Sequence, residues 1–122
     1  MVRIYTYSKC DTCRRALRFL RERNVPFEEI AIRETPPSKS ELKAMAIAYG
    51  DIRRLFNSSG SDYKALSLSA RLSGMSEEEA LKLLSQIGNL VKRPFLIGES
   101  VRLVGFKLPE WKAAFLAEGT ML

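Results

Sequence analysis

Hydrophobic and polar positions follow two different periods along this chain, and the change from one to the other comes early. Residues 2 to 7, VRIYTY, are β-branched and aromatic with Val2, Ile4 and Thr6 at every second position, which predicts a strand. From Asp11 the period lengthens. Cys13, Ala16, Leu17 and Leu20 recur at three- and four-residue spacing, so an amphipathic helix is predicted from Asp11 to about Asn24. Pro26 lies beyond that end, and FEEIAI at 27 to 32 reads as a second strand.

The middle of the chain is helical in pattern. TPPSKS at 35 to 40 is a loop in which Ser38 or Ser40 caps a helix running from Glu41 to Gly50, where a glycine suits the C-terminal end. Asp51 to Phe56 forms a short helix, NSSGS at 57 to 61 a turn, and Tyr63 to Leu72 a further helical segment. Ser76 followed three residues later by Glu79 is a capping box for a helix to about Ile87. Two short apolar strands, 95 to 97 and 101 to 104, flank a GES turn at 98 to 100. The last helix, LPEWKAAFLAE, has Pro109 in its first turn and docks through Trp111, Phe115 and Leu116. The order is βαβ, a helical insertion over about residues 38–90, then ββα: an α/β fold in one domain of 122 residues.

Composition narrows the class. With 46% hydrophobic and 28% charged residues the chain has the balance of a soluble globular protein with a core of its own. The segment MVRIYTYSK has no signal-peptide apolar core, and no apolar run approaches the roughly 18 residues of a membrane span, so a cytoplasmic protein without membrane contact is expected. The net charge of +6, much of it in Arg14, Arg15, Arg18, Arg21 and Arg23, fits an anionic substrate, an acidic protein surface or simple solubility. No aromatic stacking motif accompanies these arginines, and direct nucleic-acid binding is not expected.

The candidate chemistry lies in YSKCDTCRRA at 7 to 16, which holds both cysteines. A strand ending near Tyr7 and a helix starting near Asp11 place Cys10 beside the free N–H groups of a first helical turn, where the dipole favours a thiolate. Lys9, Arg14 and Arg15 add positive field. Cys13 is one turn on, within reach of Cys10 for a small disulfide ring. Cys10, the more exposed, is the expected attacking thiol and Cys13, facing inward, the resolving one. Two buried structural thiols are the plain alternative. Zinc is not expected from two cysteines in a chain without histidine, and no metal site is assigned. Thr12 offers a hydroxyl between the thiols or only helps to start the helix, and Pro94 is either a cis proline beside the sulfurs or an ordinary strand-opening one.

The stretches Tyr7-Ser8-Lys9-Cys10-Asp11-Thr12-Cys13-Arg14-Arg15-Ala16, Leu55-Phe56-Asn57-Ser58-Ser59-Gly60 with Tyr63, Arg93-Pro94, and Val104-Gly105-Phe106 with Trp111 resemble the ArsC/Spx family of thioredoxin-fold proteins across nearly the whole chain. The resemblance implies a thioredoxin-like mixed sheet, a nucleophile at Cys10, a cis bond at Pro94, and an anion-binding or thiolate-stabilising role for Arg93, whose plain alternative is a surface ion pair. In arsenate reductases of this family that use glutathione and glutaredoxin, further arginines surround the cysteine. Asn57 stands where the first belongs and Gly105 near the second, with Arg102 close by in sequence. Cys13 instead matches the C-x-x-C of Spx-type regulators, which bind the RNA polymerase α subunit, and Gly50 falls near a glycine important in that group. The resemblance thus implies a thiol/disulfide oxidoreductase with glutathione, a thioredoxin or a glutaredoxin as reductant, a redox-sensing regulator with the polymerase α subunit as partner, or an arsenate reductase. No bound cofactor is implied.

Overall fold

The computed structural model describes residues 1–119, with side chains as far as Phe115, so the predicted docking of Leu116 lies outside the described residues. The chain runs β1 (Val2–Thr6), α1 (Asp11–Glu22), β2 (Phe27–Ala31), α2 (Lys39–Tyr49), α3 (Ser61–Ala65), α4 (Leu68–Arg71), α5 (Glu77–Gln86), β3 (Phe95–Ile97), β4 (Arg102–Val104) and α6 (Leu108–Gly119). Three 3-10 turns, at Ile52–Leu55, Leu72–Gly74 and Gly88–Leu90, join the helices of the insertion to one another and to the sheet. The sheet order is β2-β1-β3-β4, with β1 parallel to β2 and antiparallel to β3, and β3 antiparallel to β4. This is the mixed thioredoxin-like sheet that the resemblance implies.

Strand alternation divides the core in two. Ile4, Leu96 and Leu103 point to one face, where they meet Ala16, Leu17 and Leu20 of α1 and Trp111 and Phe115 of α6. Tyr5, Phe95, Ile97 and Val104 point to the other, against Leu42 and Met45 of α2 and Leu81 and Leu84 of α5. The insertion therefore covers the second face of the sheet. Trp111 is fully buried, with its ring 5.0 Å from Phe106 and 5.8 Å from Phe19, and its indole N–H donates to the Gly105 carbonyl at 3.0 Å.

The local signals set most boundaries. Of the two serines that could cap α2, Ser38 does so, because Glu41 three residues on completes the box: the Glu41 amide donates to Ser38 Oγ at 3.2 Å and the Ser38 amide to Glu41 Oε1 at 3.0 Å. Helix α2 consequently starts at Lys39, two residues before the expected Glu41. Ser76 and Glu79 form the second box, heading α5. Gly50 takes the left-handed conformation at the end of α2 with φ 77°. Helix α1 stops at Glu22, slightly short of the expected end, and Asn24 makes the turn with φ 56°. The segment Tyr63–Leu72 is not one helix: Ser67, at φ 53°, breaks it into α3 and α4. Among the described residues no helix is long and apolar enough to cross a membrane.

Candidate active site

The loop from β1 into α1 tightens through the Cys10 amide donating to the Tyr7 carbonyl at 3.1 Å, and Arg14 clamps it by donating from Nη1 to the Ser8 carbonyl at 2.9 Å. Cys10 is then the N-cap of α1 in extended conformation, and its sulfur accepts the Cys13 amide at 3.2 Å. A sulfur in place of the usual serine or aspartate oxygen is a weak cap as a thiol and a stronger one as a thiolate, since hydrogen bonds to an ionised acceptor are the stronger ones. The first turn of α1 thereby presents a backbone donor to the Cys10 sulfur.

The two thiols differ in environment. Cys10 is partly exposed, whereas Cys13 is buried to 1% exposure. Burial pushes the Cys13 thiol up to about 12, and adjacent Cys10 adds to the effect, while the Tyr7 backbone and the Arg93 guanidinium act in the opposite direction. Both cysteines are unbonded.

Cys10 opens onto a cleft of about 390 Å³. Thr12 flanks it on α1, Asn57 and Ser59 line it from the insertion, and Lys92 and Arg93 line it from the approach to β3. Gly105, Phe106 and Lys107 close the far side. Four of the six residues singled out from sequence, Cys10, Thr12, Asn57 and Arg93, line this one cleft; Cys13 is buried, and Pro94 is buried and joined to Arg93 by a cis bond. Arg93 makes no ion pair among the described residues. Its guanidinium carbon sits 5.3 Å from the Tyr7 ring centre, and its Nη1 reaches toward Asn89 Oδ1 at 3.4 Å, while Asn89 Nδ2 donates to Asp62 at 3.0 Å.

Asn57 carries a structural duty in addition. Its amide donates to the Leu90 carbonyl at 2.7 Å and its Nδ2 to the Asn89 carbonyl at 3.4 Å, tying the segment before α3 to the Gly88–Leu90 turn that leads toward β3. Arg102 is exposed on β4 and is not among the cleft residues, so it does not stand in for an arginine at 105. Sequence reasoning missed Lys92 and Lys107, and it quoted Ser59 and Phe106 within the motifs of the resemblance without giving them a site role. The signal for Lys92 was its adjacency to Arg93. Among the described residues no group of three potential ligand side chains could hold a metal ion.

Comparison with known proteins agrees with this architecture. The ArsC family model matches residues 5–114. The protein YusI of Bacillus subtilis is 46% identical over 104 residues, 84% of this chain and 88% of that one. The global transcriptional regulator Spx of Enterococcus faecalis is 30% identical, covering 90% of this chain and 83% of Spx. A crystal structure from Streptococcus mutans, described as that of a possible arsenate reductase, is 34% identical and superposes with a TM-score of 0.86 over 94% of this chain and 98% of that one. A nearly full-length sequence match, a shared fold and a cysteine at the strand-to-helix turn therefore converge: this chain belongs to the ArsC family.

Proposed function

We propose that the protein is a thiol/disulfide oxidoreductase with Cys10 as nucleophile and Cys13 as resolving cysteine. The Cys10 thiolate attacks one sulfur of a substrate disulfide, forming a mixed disulfide and expelling the other sulfur as a thiolate. Cys13 then gives up its proton and attacks the Cys10 sulfur, releasing the second substrate thiolate and leaving a Cys10–Cys13 disulfide. Two electrons have passed to the substrate, and an external thiol, either glutathione or a thioredoxin or glutaredoxin, returns the pair to dithiol. The observation that carries this reading is the unequal pair itself: one sulfur capping a helix at the mouth of a cationic cleft, the other buried one turn behind it.

The test is reduction of a small disulfide by the purified protein with thiol as reductant. Cys10→Ser should abolish turnover, and Cys13→Ser incubated in lysate should retain a partner in covalent linkage. Full turnover by both variants would refute the chemistry.

A second reading is supported by the likeness to Spx. Here the same disulfide changes a binding face for the RNA polymerase α subunit instead of serving turnover, and redox-dependent capture of that subunit would favour it. Arsenate reduction has less support despite the Streptococcus mutans neighbour, because with Asn57 and Gly105 in place Arg93 is the one arginine lining the cleft among the described residues.

A further inference from the structure

Among the described residues, the cleft beside Cys10 is lined by three cations, Lys92, Arg93 and Lys107, and by no carboxylate. None of the three makes an ion pair among the described residues. Lys92 is the one whose course the backbone dictates. Its amide donates to the Leu55 carbonyl at 2.7 Å, which pins the residue to the insertion immediately before Arg93. Gly105 lies across from it with φ 73°, held by its own amide donating to the Pro94 carbonyl at 2.8 Å. A Cβ at Gly105 would come within 3.2 Å of Lys92 Cε and 3.8 Å of Nζ, so the end of the lysine rests on bare glycine backbone. Lysine normally buries its stem and keeps its ammonium in water. Lys92 is exposed, and the end of its side chain lies against Gly105 in the lining of the cleft that Cys10 also lines.

We propose that Lys92, laid over Gly105, is an anion-binding residue of the Cys10 cleft and selects compounds whose reacting carbon or sulfur carries a nearby carboxylate. For the oxidoreductase reading, on which this second consequence rests, the preferred substrate is a small disulfide bearing carboxylates. Arg93 and Lys107 extend the same field, and a carboxylate approaching the sulfur meets a cation without displacing an existing ion-pair partner.

Alkylation tests the residue without requiring turnover. Iodoacetate and iodoacetamide react with Cys10 in the same way: the thiolate electron pair forms an S–C bond, the C–I bond breaks and iodide leaves. They differ in the carboxylate. Rates on the full chain are taken as the iodoacetate-to-iodoacetamide ratio, normalised to 2-mercaptoethanol in the same buffer, with the adduct located on Cys10 by mass spectrometry. The normalised ratio should exceed one and fall roughly two- to fivefold in Lys92→Gln, the size of an exposed ion pair. Lys92→Arg should keep it, as should Lys82→Gln, which removes the same charge from α5 outside the cleft. An unchanged ratio in Lys92→Gln, or an equal fall in Lys82→Gln, overturns the proposal. In turnover, kcat/KM for 3,3′-dithiodipropionate relative to bis(2-hydroxyethyl) disulfide should fall in Lys92→Gln by a similar factor. If the wild type reduces neither disulfide, the oxidoreductase reading fails, and the alkylation ratio still decides Lys92.

Discussion

The backbone amide of Cys13 donates to the Cys10 sulfur across 3.2 Å, so one thiol caps the helix whose first turn buries the other. The two cysteines therefore have unequal tasks in any exchange reaction. Cys10 can be reached from the cleft, whereas Cys13 must lose a proton held to about 12, chiefly by burial, before it can attack.

Resolution should accordingly be the pH-sensitive step. Once Cys10 is tied up in a mixed disulfide, the rate at which Cys13 releases the substrate thiol should climb about tenfold per pH unit between pH 6 and 8, following the thiolate fraction. Stopped-flow release from a preformed Cys10 adduct measures it. A plateau already present at pH 7 would mean that Cys13 ionises far more easily than its surroundings indicate.

The same burial predicts an alkaline limit to stability. The Cys13 thiol is raised from 9.0 to about 12 in the folded protein, so its contribution is complete below about pH 9 and is lost as pH climbs from there toward 12. Tyr5 and Tyr49 act in the same direction, each pushed from 10.0 to about 12 by burial and then by a neighbouring carboxylate, Glu41 and Glu110 respectively. Denaturant unfolding of Cys13→Ala between pH 7 and 11 should show a shallower decline than wild type. Parallel curves would remove Cys13 from the linkage.

On the acid side the sensitive group is Glu41. Burial raises its pKa, but the ion pair with Arg3, the Ser38 amide and the Tyr5 hydroxyl at 2.7 Å together outweigh that and leave it below its ordinary 4.5. A depressed carboxylate stabilises fully above its unfolded pKa and loses that contribution as pH falls through the folded one. Glu41→Gln should cost about 1 to 3 kcal/mol at pH 7, since it weakens both the α2 cap and the bonds to β1. The gap between variant and wild type should close below pH 4. A constant difference across this range would show that the lost stability is unrelated to charge.

A steric prediction concerns Gly88. A Cβ there would stand 1.8 Å from the Ile32 carbonyl oxygen, a contact with backbone that no rotamer change relieves. Gly88→Ala should lower stability by roughly 2 to 4 kcal/mol, at the upper end of the usual range for single substitutions. Chemical denaturation should show a shifted midpoint with little change in slope. A midpoint within experimental error of wild type would require the loop after β2 to move freely.

The cysteine pair at the head of α1, the Ser76–Glu79 capping box, a glycine cap at Gly50 and the four strands are legible from sequence, because each depends on residues within a few positions of one another. A change of hydrophobic period, or a serine three residues before a glutamate, acts through local backbone geometry and needs no distant partner. Ser67 shows where such reasoning stops: nothing in its neighbourhood marks the left-handed turn that splits α3 from α4. The cleft shows the same limit on a larger scale. Cys10, Asn57, Lys92 and Lys107 come from four separate parts of the chain, and only the antiparallel return of β3 against β1, with β4 beside it and the insertion across the other face, brings them together. Local residues determine that a thiol begins a helix. Which charges surround that thiol depends on long-range pairing, because electrostatic and steric neighbours are set by distance in space and not by separation along the chain.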